Sequence, residues 1–159
     1  VGLEVSYGAG VLLGVGLVGA WEAGWWLRRL HQRKVVFDQA RARAAKLGRP
    51  LVVVGAPDRG PTPGPGCGDI TVDLDGSACP VSIAADITKP LPLGDDSAVV
   101  FVSYVLEYVD DYAAGYRELL RVAGSPENLF IVRVEPWTLT AYLYPGAKRT
   151  VPPSLPGAR

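Results

Sequence analysis

At 159 residues the chain is long enough for one domain and an appendage, with sixteen basic and sixteen acidic residues cancelling to a formal charge of zero. The only histidine is His31, in the N-terminal third, which excludes a Ser-His-Asp or Cys-His catalytic arrangement in the remainder. The two cysteines, Cys67 and Cys79, cannot by themselves make a four-ligand zinc site.

The charges are unevenly placed. Arg28–Arg49 holds eight basic residues against one acid, Asp38, whereas residues 50–159 hold eight basic against thirteen acidic. A cationic neck therefore joins an anionic head. No methionine occurs, and Val1 reads as an alternative start or as a processed end.

Tyr7–Leu27 is apolar apart from Glu22, and its 21 residues are enough for a helix to cross a hydrocarbon core of about 30 Å. Trp21, Trp25 and Trp26 gather at its end, just before Arg28, Arg29, Arg33 and Lys34. Interfacial aromatics followed by basic residues predict a single transmembrane helix, N-terminus outside and head cytoplasmic. A signal peptide would carry positive charge before the apolar run, and none precedes it here. Glycine disfavours helix interiors, so its abundance in this run calls for a reason. Gly10, Gly14, Ala20 and Gly24 form a small-residue face that predicts close contact with other transmembrane helices of a larger membrane assembly. Glu22 lies near the interface, within reach of water.

No proline interrupts the chain before Pro50, so the helix is expected to continue through the neck, with a weak stripe at Phe37, Ala40, Ala44 and Leu47, until Gly48 and Pro50 end it. The basic face of the neck is assigned to anionic lipid headgroups rather than to nucleic acid, because an apolar span adjoins it. His31 reads as a solvated neck residue.

In the head, Leu51–Gly55 reads as a buried strand, Ile70–Asp75 as a second, Val81–Ala85 as a third and Ala98–Tyr104 as a fourth, buried on both faces. A helix opens at Asp110-Asp111, presents Tyr112, Tyr116, Leu119, Leu120 and Ala123 on one face, and stops at Gly124. Asn128–Val134 is the last clear strand. Strand after strand with a helical crossover predicts an α/β fold with a mostly parallel sheet. Only Gly76–Pro80 separates the second and third strands, too little for a crossover helix, so part of one sheet face must be covered by the Pro-rich loop, the neck helix or another protein. Cys67 and Cys79 each lie just before a strand and are expected to be neighbours at one sheet edge, with the oxidation state open. Trp137, Tyr142 and Tyr144 are expected to cap the sheet or contact a neighbour, with lining of a substrate pocket as the alternative, and the tail Pro145–Arg159 to be extended.

The stretch Asp86–Val122 carries a resemblance. Asp86, Leu91-Pro92-Leu93, Asp96-Ser97-Ala98, Leu106-Glu107-Tyr108-Val109-Asp110 and Glu118-Leu119-Leu120-Arg121-Val122 occur in the order and spacing of the class I S-adenosylmethionine-dependent methyltransferases of the small-molecule type, which this stretch resembles. The resemblance implies a pared-down, Rossmann-like sheet within residues 50–145; the apolar run and its basic flank place a transmembrane helix and neck at residues 1–49, and the prolines an extended tail at 146–159. The resemblance also implies that S-adenosylmethionine, if bound, would meet Gly55, a ribose-binding carboxylate at Asp73 or Asp75, and Asp86 near the adenine.

The chain departs from that pattern where the cofactor should sit. Val53 stands where an acid is expected, Pro57 and Arg59 replace glycines of the loop, and four prolines from Pro57 to Pro65 leave no helix after the first strand. Such loops work because glycines admit the ligand and a helix N-terminus offers free N–H groups. Ser103-Tyr104-Val105-Leu106 lacks the motif of amino-group methyltransferases, so methylation of a nucleobase amine is not expected. The expectation is an inactive, methyltransferase-like accessory or structural subunit of a membrane complex or membrane-containing virion, without cofactor, metal or nucleic acid. The alternative is an active methyltransferase on a small-molecule or lipid-linked substrate.

Overall fold

The structure is a computed structural model that describes residues 4–58 and 64–133. A single helix, α1 (Glu4–Leu47), leads into β1 (Leu51–Val54), β2 (Ile70–Asp73), β3 (Ser82–Ala84), β4 (Val99–Ser103), α2 (Tyr112–Ala123) and, after a 3₁₀ turn at Pro126–Asn128, β5 (Leu129–Val132). The strands form one sheet in the order β3-β2-β1-β4-β5, with every pairing parallel. The α/β reading holds, and the order reverses between β1 and β4, the switch point of an open sheet. The expected segment Trp137–Tyr144 and the tail lie outside the described residues.

Strands β1 and β4 are buried along almost their whole length, as their unbroken apolar runs require of strands covered on both faces. Val52, Val54, Val72, Val100 and Val102 point to the face carrying α2. That helix buries Gly115, Tyr116, Leu119, Val122 and Ala123, so its inward stripe is rotated slightly from the expected one, with Tyr112 and Leu120 only half-buried. Asp111 caps its start by accepting from the Ala114 amide (2.9 Å). Gly124 ends it at φ 72°, with the Asp96 carboxylate packed where a side chain would project.

The opposite face is covered by the neck. Val36, Phe37, Ala40 and Ala44 of α1 pack on Leu51, Val53, Val99, Phe101 and Val132, with the Phe37 ring edge-on to Phe101 at 5.4 Å. The last turns of α1 are therefore core. No crossover helix separates β1 from β2 among the described residues, and α1 takes the place such a helix would fill. Beside it, the loop before β2 lies against Phe37 at Gly66 and accepts at the Cys67 carbonyl from Arg41 Nη2 (2.8 Å). A disulfide joins Cys67 to Cys79, Cα atoms 5.7 Å apart, which meets the expectation of neighbouring cysteines. Closing a loop of 12 residues restricts the unfolded chain by about 3 kcal/mol, on the chain-entropy account.

Part of the neck's basic face is turned onto the head, while Arg28, Lys34, Arg41 and Lys46 stay exposed. Arg29 and Arg33 are buried, and Arg33 Nε donates to Ser103 Oγ (2.8 Å) while its guanidinium lies 4.8 Å above the Tyr104 ring. Arg43 Nε donates to Asn128 Oδ1 (2.9 Å), and Arg49 grips Asp96 through both terminal nitrogens (2.5 and 2.8 Å). The guanidiniums of Arg33 and Arg43 tie α1 to the head, and that of Arg49 ties the start of β1 to the loop before β4. His31 is exposed, as expected.

Residues 14–27 of α1 extend beyond the head, with Leu17 72% and Val15 68% exposed. Among the described residues no helix is long and apolar enough to cross a membrane; the side chains of 7–13, the first third of the expected span, lie outside the described set.

The residues that carry the methyltransferase resemblance are bonded to one another. Glu118 Oε1 accepts from the Leu91 amide (2.6 Å) and from Arg121 Nη2 (2.5 Å), and Arg121 also pairs with Asp95. Arg121, with the Leu91 amide assisting, holds the Glu118 carboxyl below its usual range. A depressed folded-state value means the stabilisation is present above the unfolded value of about 4.3 and is lost as pH falls through the folded one. Glu118→Gln should therefore lower stability at pH 7 by on the order of 1–2 kcal/mol. It should also flatten the loss of stability as pH falls below the unfolded value, as read by urea melts on both sides of it.

Candidate functional site

A cleft of about 580 Å³ opens at the C-terminal edge of the sheet, above the switch point. Its walls are the ends of β1 and β2 (Val54, Gly55, Asp73), the turn after β3 (Asp86 to Lys89), and the segment from Tyr104 to Asp111 that leads into α2. Gly55, Asp73 and Asp86, three of the four residues expected at a cofactor site, line this cleft. Asp75 does not; it sits in the exposed turn after β2. The geometry thus separates the two aspartates, since a strand's last residue faces the crevice and a residue two further on has passed over the rim.

Gly55 adopts φ +97°, a conformation that L side chains rarely take. A Cβ there would lie 2.7 Å from Val105 Cγ2 and 3.3 Å from the Ser103 carbonyl. The close approach that glycine permits is made here to the protein's own β4 exit. The neighbouring donors are also spent. The Gly55 amide donates to the Val72 carbonyl (2.9 Å) and the Ala56 amide to Asp73 Oδ2 (2.8 Å). Pro57 has no donor, and its carbonyl accepts from the Gly64 amide (2.8 Å), so the loop closes on itself. No helix N-terminus follows β1 among the described residues.

The carboxylates are likewise engaged. Asp73 Oδ1 accepts from the Asp75 amide (3.2 Å) while its Oδ2 holds Ala56, so the side chain clamps the loops after β1 and β2 together. Asp86 Oδ1 accepts from both the amide (2.9 Å) and the hydroxyl (2.8 Å) of Thr88. The Thr88 amide, then its hydroxyl, hold the Asp86 carboxyl below its ordinary range. This is an Asx turn with a second bond, and the D-x-T spacing announces it. Sequence reasoning gave Asp86 a ligand and passed over Thr88.

It also passed over Tyr104, which follows β4 at φ 56°. Its ring lies under Arg33 and forms part of the cleft wall, linking α1 to the site. Among the described residues no group of His, Cys, Asp and Glu is arranged to hold a metal ion. Comparison with known protein families, curated proteins and solved structures finds no match to the chain.

The bonding distinguishes the two cleft aspartates. Asp73 serves two amides with two oxygens, so Asp73→Asn strands one amide and should cost about 1–2 kcal/mol. Asp86 uses a single oxygen that asparagine retains, so Asp86→Asn should change stability by less than about 0.5 kcal/mol. Paired thermal and urea melts check the difference; equal losses at both positions would contradict these roles.

Proposed function

We propose that the chain is a membrane-anchored, methyltransferase-like domain that does not use S-adenosylmethionine and serves as an accessory or structural subunit of a membrane complex or membrane-containing virion. The observation that carries this reading is the closed bonding at the end of β1. The amides of Gly55 and Ala56, the carboxylate of Asp73 and the open side of Gly55 are all committed to protein atoms. The strand order and the motif residues between Asp86 and Val122 support methyltransferase ancestry. The alternative, an active methyltransferase on a small-molecule or lipid-linked substrate, draws support from the cleft itself, which sits at the switch point with Asp73 and Asp86 on its wall.

Membrane anchoring is supported by the apolar run Tyr7–Leu27, by the exposed Val15, Leu17 and Trp21, and by the Trp25–Arg28 stacking (4.9 Å) at its end. Gly14, Gly16, Gly19 and Gly24 have open space where a side chain would project, which suits close approach by other membrane helices. Gly10, the first member of that face, lies outside the residues whose side chains are described. The excess of basic residues after the run assigns the head to the cytoplasmic side. The Cys67–Cys79 disulfide weighs against that side, because structural disulfides are rare in a reducing cytosol outside hyperthermophiles. Labelling of an Arg159→Cys variant in intact cells should fail with an impermeant maleimide and succeed after lysis; labelling from outside reverses the orientation.

Losing a hydrogen bond to a charged ligand group costs about 1.5–3 kcal/mol, and about 1.4 kcal/mol is tenfold in affinity. Two such losses move a micromolar site toward the millimolar range. Calorimetry of the full chain in detergent should therefore detect no micromolar binding of S-adenosylmethionine or S-adenosylhomocysteine. Micromolar binding of either would install the enzyme reading instead.

A further inference from the structure

The direction of α1 across the sheet carries one more step. Arg43 meets Asn128, just before β5 begins, and Arg33 meets Ser103, where β4 ends. Ten helical residues rise about 15 Å, close to the length of a five-residue strand at about 3.3 Å per residue. So α1 runs antiparallel to the strands. Read toward its N-terminus, it leaves the head over the C-terminal edge, the same edge on which the cleft opens. Tyr104 marks the shared corner, under Arg33 and on the cleft wall.

We propose that the C-terminal edge of the sheet, with the mouth of the cleft, faces the lipid bilayer at short range, while the edge carrying Asp96 and Glu127 points away. This rests on the membrane-anchored reading above. The standoff follows from the helix. Trp26 is seven residues before Arg33, about 10 Å along the axis, and Trp25 with Arg28 stacked on it forms the collar suited to the headgroup layer. The gap is close to one Debye length at physiological salt, about 8 Å. That distance suits the cleft's own charge. Asp73, Asp86, Asp110 and Asp111 outnumber Lys89 on its wall, so an anionic lipid surface in contact would repel it. The bond of buried Arg33 to Ser103, the part-buried bond of Arg43 to Asn128 and the packing of Phe37 and Ala40 fix the helix to the head at both edges, so the orientation is built in.

The test uses the full chain in lipid nanodiscs carrying a headgroup-labelled energy-transfer acceptor. The chain has no free cysteine among the described residues, so one engineered thiol takes the donor without reductant. Lys89→Cys reports the cleft rim and Glu127→Cys the far edge; Tyr108→Cys and Asp95→Cys repeat the comparison. The expected result is several-fold faster transfer from positions 89 and 108 than from 127 and 95. Equal or reversed transfer in protein that co-purifies with the discs overturns the orientation and leaves anchoring intact. Failure to co-purify with the discs overturns the anchoring itself, and this inference with it.

Discussion

A parallel sheet buried on both faces must find a cover for each, and here one cover is the helix that precedes the sheet. Phe37, Ala40 and Ala44 close over Leu51, Val99 and Phe101, and the small side chains at 40 and 44 let the helix axis come close. Everything else in the fold adjusts to that docking. The connection after β1 need not supply a helix and can be proline-rich and stapled by Cys67–Cys79. The connection from β2 to β3 can cross back through residues 74–81 without a helix. The same docking makes α1 a single 44-residue rod, about 66 Å at 1.5 Å per residue, whose final turns are core and whose first half stands outside the head.

The sheet was legible because its strands are short unbroken runs of β-branched residues, and α2 because Asp111 and Gly124 mark its ends. The Cys67–Cys79 proximity followed from the same strand positions. What the sequence concealed was the fate of the neck. Arg29, Arg33, Arg41 and Arg43 recur along one helix, and such charge ordinarily reads as solvated. The partners of Arg41, Arg33 and Arg43 are a carbonyl at Cys67, a hydroxyl at Ser103 and an amide oxygen at Asn128, none of which announces itself as a cation acceptor. Burial of Arg33 depends on a partner seventy residues away, and no local pattern encodes that.

The cleft shows the same division. Asp86 and the pair Asp73 and Asp75 were singled out by the methyltransferase resemblance, which left the choice within the pair open. The bonding of Asp73 and Asp86 was not legible, since it depends on Ala56 turning back toward β2 and on Thr88 folding over Asp86. The motif residues share this character. Glu118, Arg121, Leu91 and Asp95 hold α2 against the loop after β3 through a charged network, and Arg49 ties the start of β1 to Asp96. A sequence can keep such a network for folding after its ligand site has closed, which is how a methyltransferase-like pattern and a filled Gly55 coexist in the proposed reading.

The central claim is that the C-terminal half of α1 and the sheet are one cooperative unit. Native-state hydrogen exchange on the full chain in detergent, followed residue by residue with increasing denaturant, tests it most directly. The amides of Phe37, Ala40 and Ala44 should share the opening free energy and denaturant dependence of Val100 and Val102. Exchange at 37–44 through a separate, low-energy opening while the strands stay protected would contradict it.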